Sequence, residues 1–135
     1  MKDGALYLLD TNITGYILRR KSQQASLLLK DALGRSRVAI STVTQAEILY
    51  GFERNPEARR LRDAAELFFR SIEVLDWDSE AARAYARLRN HLRVNGKSLE
   101  DADLFIAAHA LATGATLVSH DRAFQHVRPH VTVVD

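Results

Sequence analysis

Residues 5–12 read Ala-Leu-Tyr-Leu-Leu-Asp-Thr-Asn, an apolar run followed at once by an acid and two polar residues. A short continuous apolar run predicts a strand that is buried on both faces, as in a parallel sheet. The triplet Asp10-Thr11-Asn12 is a helix-start signal, and Ile13, Tyr16 and Ile17 follow it at helical spacing. The stretch therefore predicts a buried strand that leads directly into a helix.

Four further strands are predicted along the chain, each separated from the next by a helical pattern. They are Val38–Ile40, Ile72–Leu75, Thr116–Ser119 and Val131–Val134. The predicted helices cover Ala25–Leu33, Gln45 to Arg54, Pro56 to Phe69, Glu80 to Val94 and Leu99–Ala112, and a short helical turn covers Arg122–His126. This alternation predicts an α/β fold with a parallel sheet covered by helices on both faces.

Composition limits the class of protein. The chain has 135 residues, of which 47% are hydrophobic and 27% charged, which is typical of one globular domain over residues 1–135. It has no cysteine, which excludes disulfides, thiolate zinc sites and a cysteine nucleophile. No signal-peptide pattern is visible, and no apolar run reaches the roughly 18 residues of a membrane span. We therefore expect a cytoplasmic protein without a membrane partner.

Arginine is grouped along the chain, although the net charge is only +2. The groups are Arg19-Arg20-Lys21, Arg35 with Arg37, Arg59-Arg60 with Arg62, and Arg83, Arg87, Arg89 and Arg93. Guanidinium groups suit phosphate recognition. Each group alone is more typical of a solvated surface.

Four acids are predicted to meet at one edge of the sheet. Asp10 follows the first strand and Asp121 follows the fourth, while Glu47 and Asp103 fall in the predicted first turns of two helices. Ligands of open parallel sheets bind beyond the carboxyl ends of the strands. A single acid in a first helical turn usually complements the helix dipole. Four acids together repel by about 1–4 kcal/mol per close pair, which favours a cation between them.

The residue types select the cation and the chemistry. Carboxylate oxygens suit hard cations such as Mg²⁺ or Mn²⁺. The histidines offer no convincing alternative, because Pro129 separates His126 from His130 and His109 lies on a predicted buried helix. His120, beside Asp121, is a possible substrate contact. A carboxylate-bound divalent cation with arginines nearby indicates phosphodiester chemistry.

In four blocks the chain resembles the PIN-domain ribonucleases and, among these, the VapC-type toxins of type II toxin–antitoxin pairs. The blocks are Leu8–Asn12 (LLDTN), Ser41–Gly51 (STVTQAEILYG), Gly96–Ala108 (GKSLEDADLFIAA) and Thr116–Phe124 (TLVSHDRAF). Each block alone is weak evidence, whereas all four in order over nearly the whole chain are specific.

The resemblance implies a three-layer α/β/α sandwich with a short parallel sheet and an Mg²⁺- or Mn²⁺-dependent endoribonuclease that acts on tRNA, rRNA or another structured RNA. It also implies a homodimer and inhibition by a small VapB-like antitoxin. By matching position, Asp10, Glu47 and Asp103 would bind the metal ion, with Asp121 as a more variable fourth acid and Thr11 beside the site. Asp103 matches better than Asp101, which with Glu100 could assist it. Candidates for an antitoxin groove are Ile13, Ile17, Leu18, Tyr50 and Phe52.

Two other classes of function are compatible with part of the sequence. A phospho-signalling receiver domain also has a small α/β fold with an acidic Mg²⁺ pocket, but it needs a lysine after a late strand, and none of the four lysines follows a predicted strand. A non-catalytic RNA-binding module would bind through its arginines by counterion release. It would not need acids at the binding edge. A nuclease that acts on DNA is a variant of the leading hypothesis that sequence separates poorly.

Overall fold

A computed structural model describes residues 4–19, 31, 34–128 and 130–134 of the chain. The helix predicted over 25–33 lies, apart from Asp31, outside these residues. Helix α1 covers Thr11–Arg19, α2 Thr42–Arg54, α3 Arg59–Ser71, α4 Ser79–Val94 and α5 Asp101–Thr113. Strands β1 to β5 cover Leu6–Leu9, Arg37–Ser41, Glu73–Leu75, Thr116–Val118 and Val133–Val134, and a 3₁₀ helix covers Arg122–Val127. The five predicted strands are confirmed, with bounds that differ by at most two residues.

The strands form one sheet in the order β3-β2-β1-β4-β5, and all four pairings are parallel. The chain therefore adds β2 and β3 on one side of β1 and then β4 and β5 on its other side. The strand order changes direction between β1 and β4, and ligands of open α/β sheets bind at such a point. This topology places the carboxyl ends of β1 and β4 next to each other.

Two apolar clusters cover the two faces of the sheet. One packs Leu8, Ala39 and Leu117 against α4, α5 and the 3₁₀ helix, where Leu88, Ile106 and Phe124 are fully buried. The other packs Val38 and Ile40 against residues of α1, α2 and α3, such as Ile13, Phe52 and Phe68. The α/β/α sandwich expected from the sequence is therefore confirmed. Among the described helices, none has the length and apolar character needed to cross a membrane.

Two helix ends carry residues that favour a helix end in the sequence, and two helix starts differ from the prediction. Asp78 caps α4 by accepting a hydrogen bond from Ala81 N at 3.0 Å, and Gly114 ends α5 with a φ of 71°. Helix α2 begins at Thr42 instead of Gln45, because Ser41 is its cap and accepts a hydrogen bond from Val43 N. Helix α3 begins at Arg59, and Pro56 lies in the preceding turn. The earlier start of α2 moves Glu47 from the predicted first turn to the second.

Candidate active site

Asp10 is held rigidly at the end of β1. Its side chain is only 2% exposed, one carboxylate oxygen accepts a hydrogen bond from Ile13 N at 2.8 Å, and the other accepts one from Ser119 Oγ at 2.5 Å. The first bond fixes the start of α1, and the second ties Asp10 to the end of β4. An ionised carboxylate accepts such bonds strongly, so both orient it as an anion.

Ser119 links Asp10 to the loop that carries Asp121. Its buried Oγ donates to Asp10 and accepts a hydrogen bond from Asp121 N at 3.0 Å. Asp121 itself is exposed and caps the 3₁₀ helix by accepting from Ala123 N at 2.9 Å. Sequence reasoning missed Ser119, which was assigned to the strand. The available signal was a hydroxyl between a buried strand and an acid at the same edge.

Glu47 is brought to the edge by helix α2 and is exposed. Thr11 Oγ1 donates a 2.6 Å hydrogen bond to Glu47 Oε1 and lies 3.2 Å from Thr44 Oγ1. Thr11 therefore connects the first helix to the second acid, at the position where the resemblance places it.

Asp103 lies in the first turn of α5, together with Asp101. Asp103 is partly buried, whereas Asp101 and the neighbouring Glu100 are exposed. Burial raises the pKa of Asp103 to about 6 from its usual 3.8, with further increases from the negative charges of Asp121, Asp10, Glu100 and Glu47. These four charges come from three other parts of the fold and from the residue that precedes α5. The acids predicted to meet at one edge are thus close enough to act on one another.

Asp10 has the same kind of environment. Burial raises the pKa of Asp10, and the charge of Asp121 adds to this increase. The hydrogen bonds from Ser119 and Ile13 and the nearby His120 oppose the increase without cancelling it. The hydrogen bonds of the buried Asp10 therefore do not fully compensate its negative charge, and a bound cation would stabilise its charged form.

The donor set fits a hard divalent cation in its chemistry, because carboxylate oxygens are what Mg²⁺ and Mn²⁺ prefer. The carboxylates of this set do not converge on one point in the structure. Within the described part of the chain, no three carboxylate or imidazole side chains are placed to hold one metal ion together. Glu47 and Asp121 are exposed and each has one carboxylate oxygen in a hydrogen bond, whereas both oxygens of the buried Asp10 are hydrogen-bonded.

The two histidines considered from sequence have different environments. His109 is 1% exposed, and its Nδ1 lies 2.8 Å from the buried Ser41 Oγ, so it is a packed core residue as expected. Burial lowers the pKa of His109. His120 is exposed and lies beside Asp121 in the same cavity lining.

The arginine groups divide into structural and solvent-facing residues. Arg37 forms a two-pronged ion pair with Glu73 on the neighbouring strand, with distances of 2.9 and 2.6 Å. Arg62 lies over the Phe52 ring and donates to the Phe52 carbonyl oxygen. The exposed arginines of α4 are Arg83, Arg87, Arg89 and Arg93. Part of the phosphate-binding capacity suggested by the sequence therefore serves the fold instead.

A family model for the PIN domain matches residues 7–128. The chain belongs to the PIN-domain family. It is 33% identical over 122 residues to the tRNA(fMet)-specific endonuclease VapC of Shigella flexneri. This alignment covers 90% of this chain and 91% of that protein. It is 31% identical over 122 residues to Ribonuclease VapC2 of Haemophilus influenzae, with the same two coverages.

Solved PIN-domain structures have the same fold. The chain superimposes on VapBC2 from Rickettsia felis, bound to a DNA fragment from its promoter, with a TM-score of 0.89 and 27% identity over 96% of this chain and 97% of the other. The PIN-domain match includes all four acids, from Asp10 to Asp121. Membership in the VapC group of PIN domains, expected from the four sequence blocks, is confirmed.

Proposed function

We propose that this PIN-domain protein is a metal-dependent endoribonuclease of the VapC kind, the toxin of a toxin–antitoxin pair. One observation carries the proposal: Asp10, Glu47 and Asp121, from three other parts of the fold, lie close enough to Asp103 to raise its pKa at the carboxyl edge of a parallel sheet. The names of the relatives support RNA as the substrate, and tRNA is the first candidate because the Shigella flexneri relative is named for it.

Asp10, Glu47 and Asp103, with Asp121, are the residues that would hold Mg²⁺ or Mn²⁺. When bound, such an ion supplies a water of lowered pKa and shields the charge that develops on phosphorus. The chain's own contribution is positioning. Ser119 and Ile13 N fix the Asp10 carboxylate, while Thr11 fixes one oxygen of Glu47 and leaves Oε2 outside that bond.

The reaction is attack of water on phosphorus with expulsion of one ribose oxygen. One carboxylate of the edge would orient or deprotonate the attacking water. The pKa of Asp103, raised to about 6 in the metal-free chain, would fall when a cation binds, so this value is a sign of strain that the cation relieves and does not identify the base.

The receiver-domain hypothesis is not supported. Receiver domains have the strand order 2-1-3-4-5, whereas the order here is 3-2-1-4-5. The RNA-binding module differs from the nuclease in one measurable way, since it binds RNA without cleaving it and without needing a metal ion.

The purified chain, freed of antitoxin, is expected to cut total cellular RNA into discrete fragments with Mg²⁺ or Mn²⁺ and to leave it intact in excess EDTA. Sequencing of the fragment ends identifies the RNA and the cleavage position, and the same assay on DNA tests the substrate class. Binding of RNA that is unaffected by EDTA, with no cleavage under any metal, would replace this proposal with the binding module.

The antitoxin is proposed to bind a groove of about 290 Å³ between α1, α2 and α3, here called the α1–α3 groove. Its lining is apolar at one end, with Leu18, Ile48, Phe52 and Leu61, and reaches Thr11 and Glu47 at the other. An apolar segment in this groove would therefore end beside the acids. Ile13 lies in the core, and Tyr50 is 63% exposed outside the lining. Fewer of the candidate residues therefore line the groove than the sequence suggested. The homodimer implied by the resemblance stays a prediction.

Gly51 provides a test of this groove that leaves the core intact. It is a helical residue of the lining, and a Cβ at this position meets no atom within 4 Å. Gly51→Glu is expected to weaken the cognate antitoxin at least about 10-fold in a titration, because its long charged side chain enters the groove. Gly51→Ala is the matched control and should keep the affinity. Gly51→Ala should also be more stable than the parent by about 0.5–1 kcal/mol, and Gly51→Glu should gain less, because its carboxylate lies four residues from that of Glu47. Equal affinity for all three proteins would place the antitoxin elsewhere.

A further inference from the structure

A second cavity opens beside the acidic edge, between helix α1 and the loop that follows strand β4. It has a volume of about 360 Å³ and is lined by Asn12, Ile13, Tyr16, His120 and Asp121; we refer to it as the Tyr16 cavity. Pockets for small ligands have volumes of about 300–1,000 Å³, so one nucleobase fits. Because Asp121 belongs to both the cavity and the acidic edge, a ligand in the cavity lies next to whatever is bound at that edge.

The lining selects a neutral planar group over a phosphate. None of its five described residues is an arginine or a lysine, and one is the acid Asp121. A phosphate placed here would meet negative charge without a compensating cation. A base meets no such opposition, because it is uncharged and offers both hydrogen-bond donors and acceptors along its edges.

Two residues of the lining carry the groups with which proteins bind unstacked bases. Tyr16 is 47% exposed, although its helix neighbours Ile13 and Thr14 are buried, so its ring is accessible from the cavity. Aromatic rings stack on bases of single-stranded RNA. Asn12, one turn before Tyr16, is exposed and has an amide that can both donate to and accept from a base edge.

We propose that the Tyr16 cavity binds the base of one nucleotide next to the scissile phosphate, with Tyr16 stacking on the base and Asn12 hydrogen-bonding its edge. The inference rests on the proposed nuclease function and adds a specificity site to it. His120 also lines the cavity, next to Asp121 in the chain. The carboxylates then determine that cleavage occurs, and the cavity contributes to where it occurs.

The test pairs protein variants with substrate variants. The substrate is a synthetic oligoribonucleotide that carries the cleavage sequence mapped for the parent, with an abasic ribose placed in turn at each position around the cut. For the parent, loss of one flanking base should lower kcat/KM about 10-fold. Tyr16→Ala should lower kcat/KM about 10-fold on the intact oligonucleotide. The abasic ribose at that position should then cause no further decrease in kcat/KM. Asn12→Ala should weaken the base preference there.

Controls separate the cavity from the fold and from the nuclease itself. Tyr16→Phe keeps the ring and should behave as the parent, and Tyr50→Ala removes a comparably exposed tyrosine outside the cavity and should change nothing. Melting temperatures show whether each variant is folded. If the parent cleaves RNA but Tyr16→Ala cleaves equally well with the same sensitivity to every abasic position, the cavity proposal is wrong and the nuclease stands. If the parent cleaves no RNA, both fail.

Discussion

Asp10→Asn is expected to reduce RNA cleavage by about a thousandfold or more while the protein stays folded. The structure fixes the Asp10 carboxylate from two sides, through Ile13 N and Ser119 Oγ. Asparagine is a poor ligand for a hard cation, and loss of several kcal/mol of charge stabilisation corresponds to about three powers of ten in rate. The measurement is kcat on the mapped oligonucleotide under saturating Mn²⁺.

The substitution should not disturb the fold, because both hydrogen bonds can be replaced. Asparagine Oδ1 can accept from Ile13 N, and Nδ2 can donate to Ser119 Oγ, which has a free lone pair after accepting from Asp121 N. The pKa of Asp10 is raised by burial, so removing this charge also removes an unfavourable charge. Asp63→Asn, an exposed acid on α3, serves as the control for loss of one negative charge. Cleavage by Asp10→Asn at the parent's rate would mean that the acidic edge is not catalytic.

The architecture could be predicted because its signals are local. Five short apolar runs alternate with helical patterns, and buried parallel strands have no other common arrangement. The order of the strands could not be predicted in the same way, because it depends on which side of β1 each crossover returns to. Asp10 and Asp121 nevertheless fell at the same edge, since the carboxyl ends of all strands in a parallel sheet share one edge.

The details of the site depended on contacts that the pattern does not contain. Glu47 was expected in a first turn because the helix was predicted to begin at Gln45. It begins three residues earlier, at Thr42, with Ser41 as its cap. The bond between Ser119 and Asp10 joins residues 109 positions apart, and although the position of the Ser119 hydroxyl before Asp121 was visible in the sequence, its partner was not. Similarly, Arg37, which the sequence suggested for phosphate recognition, is paired with Glu73 on the neighbouring strand. Long-range polar contacts were therefore the information that sequence lacked.

Asp103→Asn is expected to make the metal-free protein more stable than the parent and the metal-loaded protein less stable than the parent. In the metal-free protein the pKa of Asp103 is raised from 3.8 to about 6, so the folded state binds this proton more tightly than the unfolded state does. The corresponding stabilisation is complete below about pH 4 and is lost as the pH rises to about 6. Above pH 7 the ionised Asp103 therefore destabilises the fold, and asparagine relieves this.

The expected gain for Asp103→Asn at pH 7.5 in EDTA is about 1 kcal/mol, or about 3–5 °C in Tm. The shift of two pKa units would correspond to about 3 kcal/mol, but solvent screening of a partly exposed group and loss of its favourable helix-dipole interaction reduce it. Between pH 4 and 6 the parent should lose stability relative to the variant. Asp101→Asn, an exposed acid in the same turn, is the control and should not reproduce this pH dependence.

Mn²⁺ should invert the order of the two proteins. At 100 times Kd it stabilises the parent by about 2.7 kcal/mol, whereas the variant, without one of its carboxylates, gains much less. The parent would then melt at a higher temperature than the variant. Because a purely structural role for Asp103 would give the same sign of stability change in EDTA and in Mn²⁺, the reversal is specific to an unfavourable carboxylate charge that a cation neutralises. An unchanged order in Mn²⁺ would mean that Asp103 is not a metal ligand. A variant less stable than the parent at pH 7.5 in EDTA would mean that the burial of Asp103 and the charges around it do not destabilise the metal-free fold.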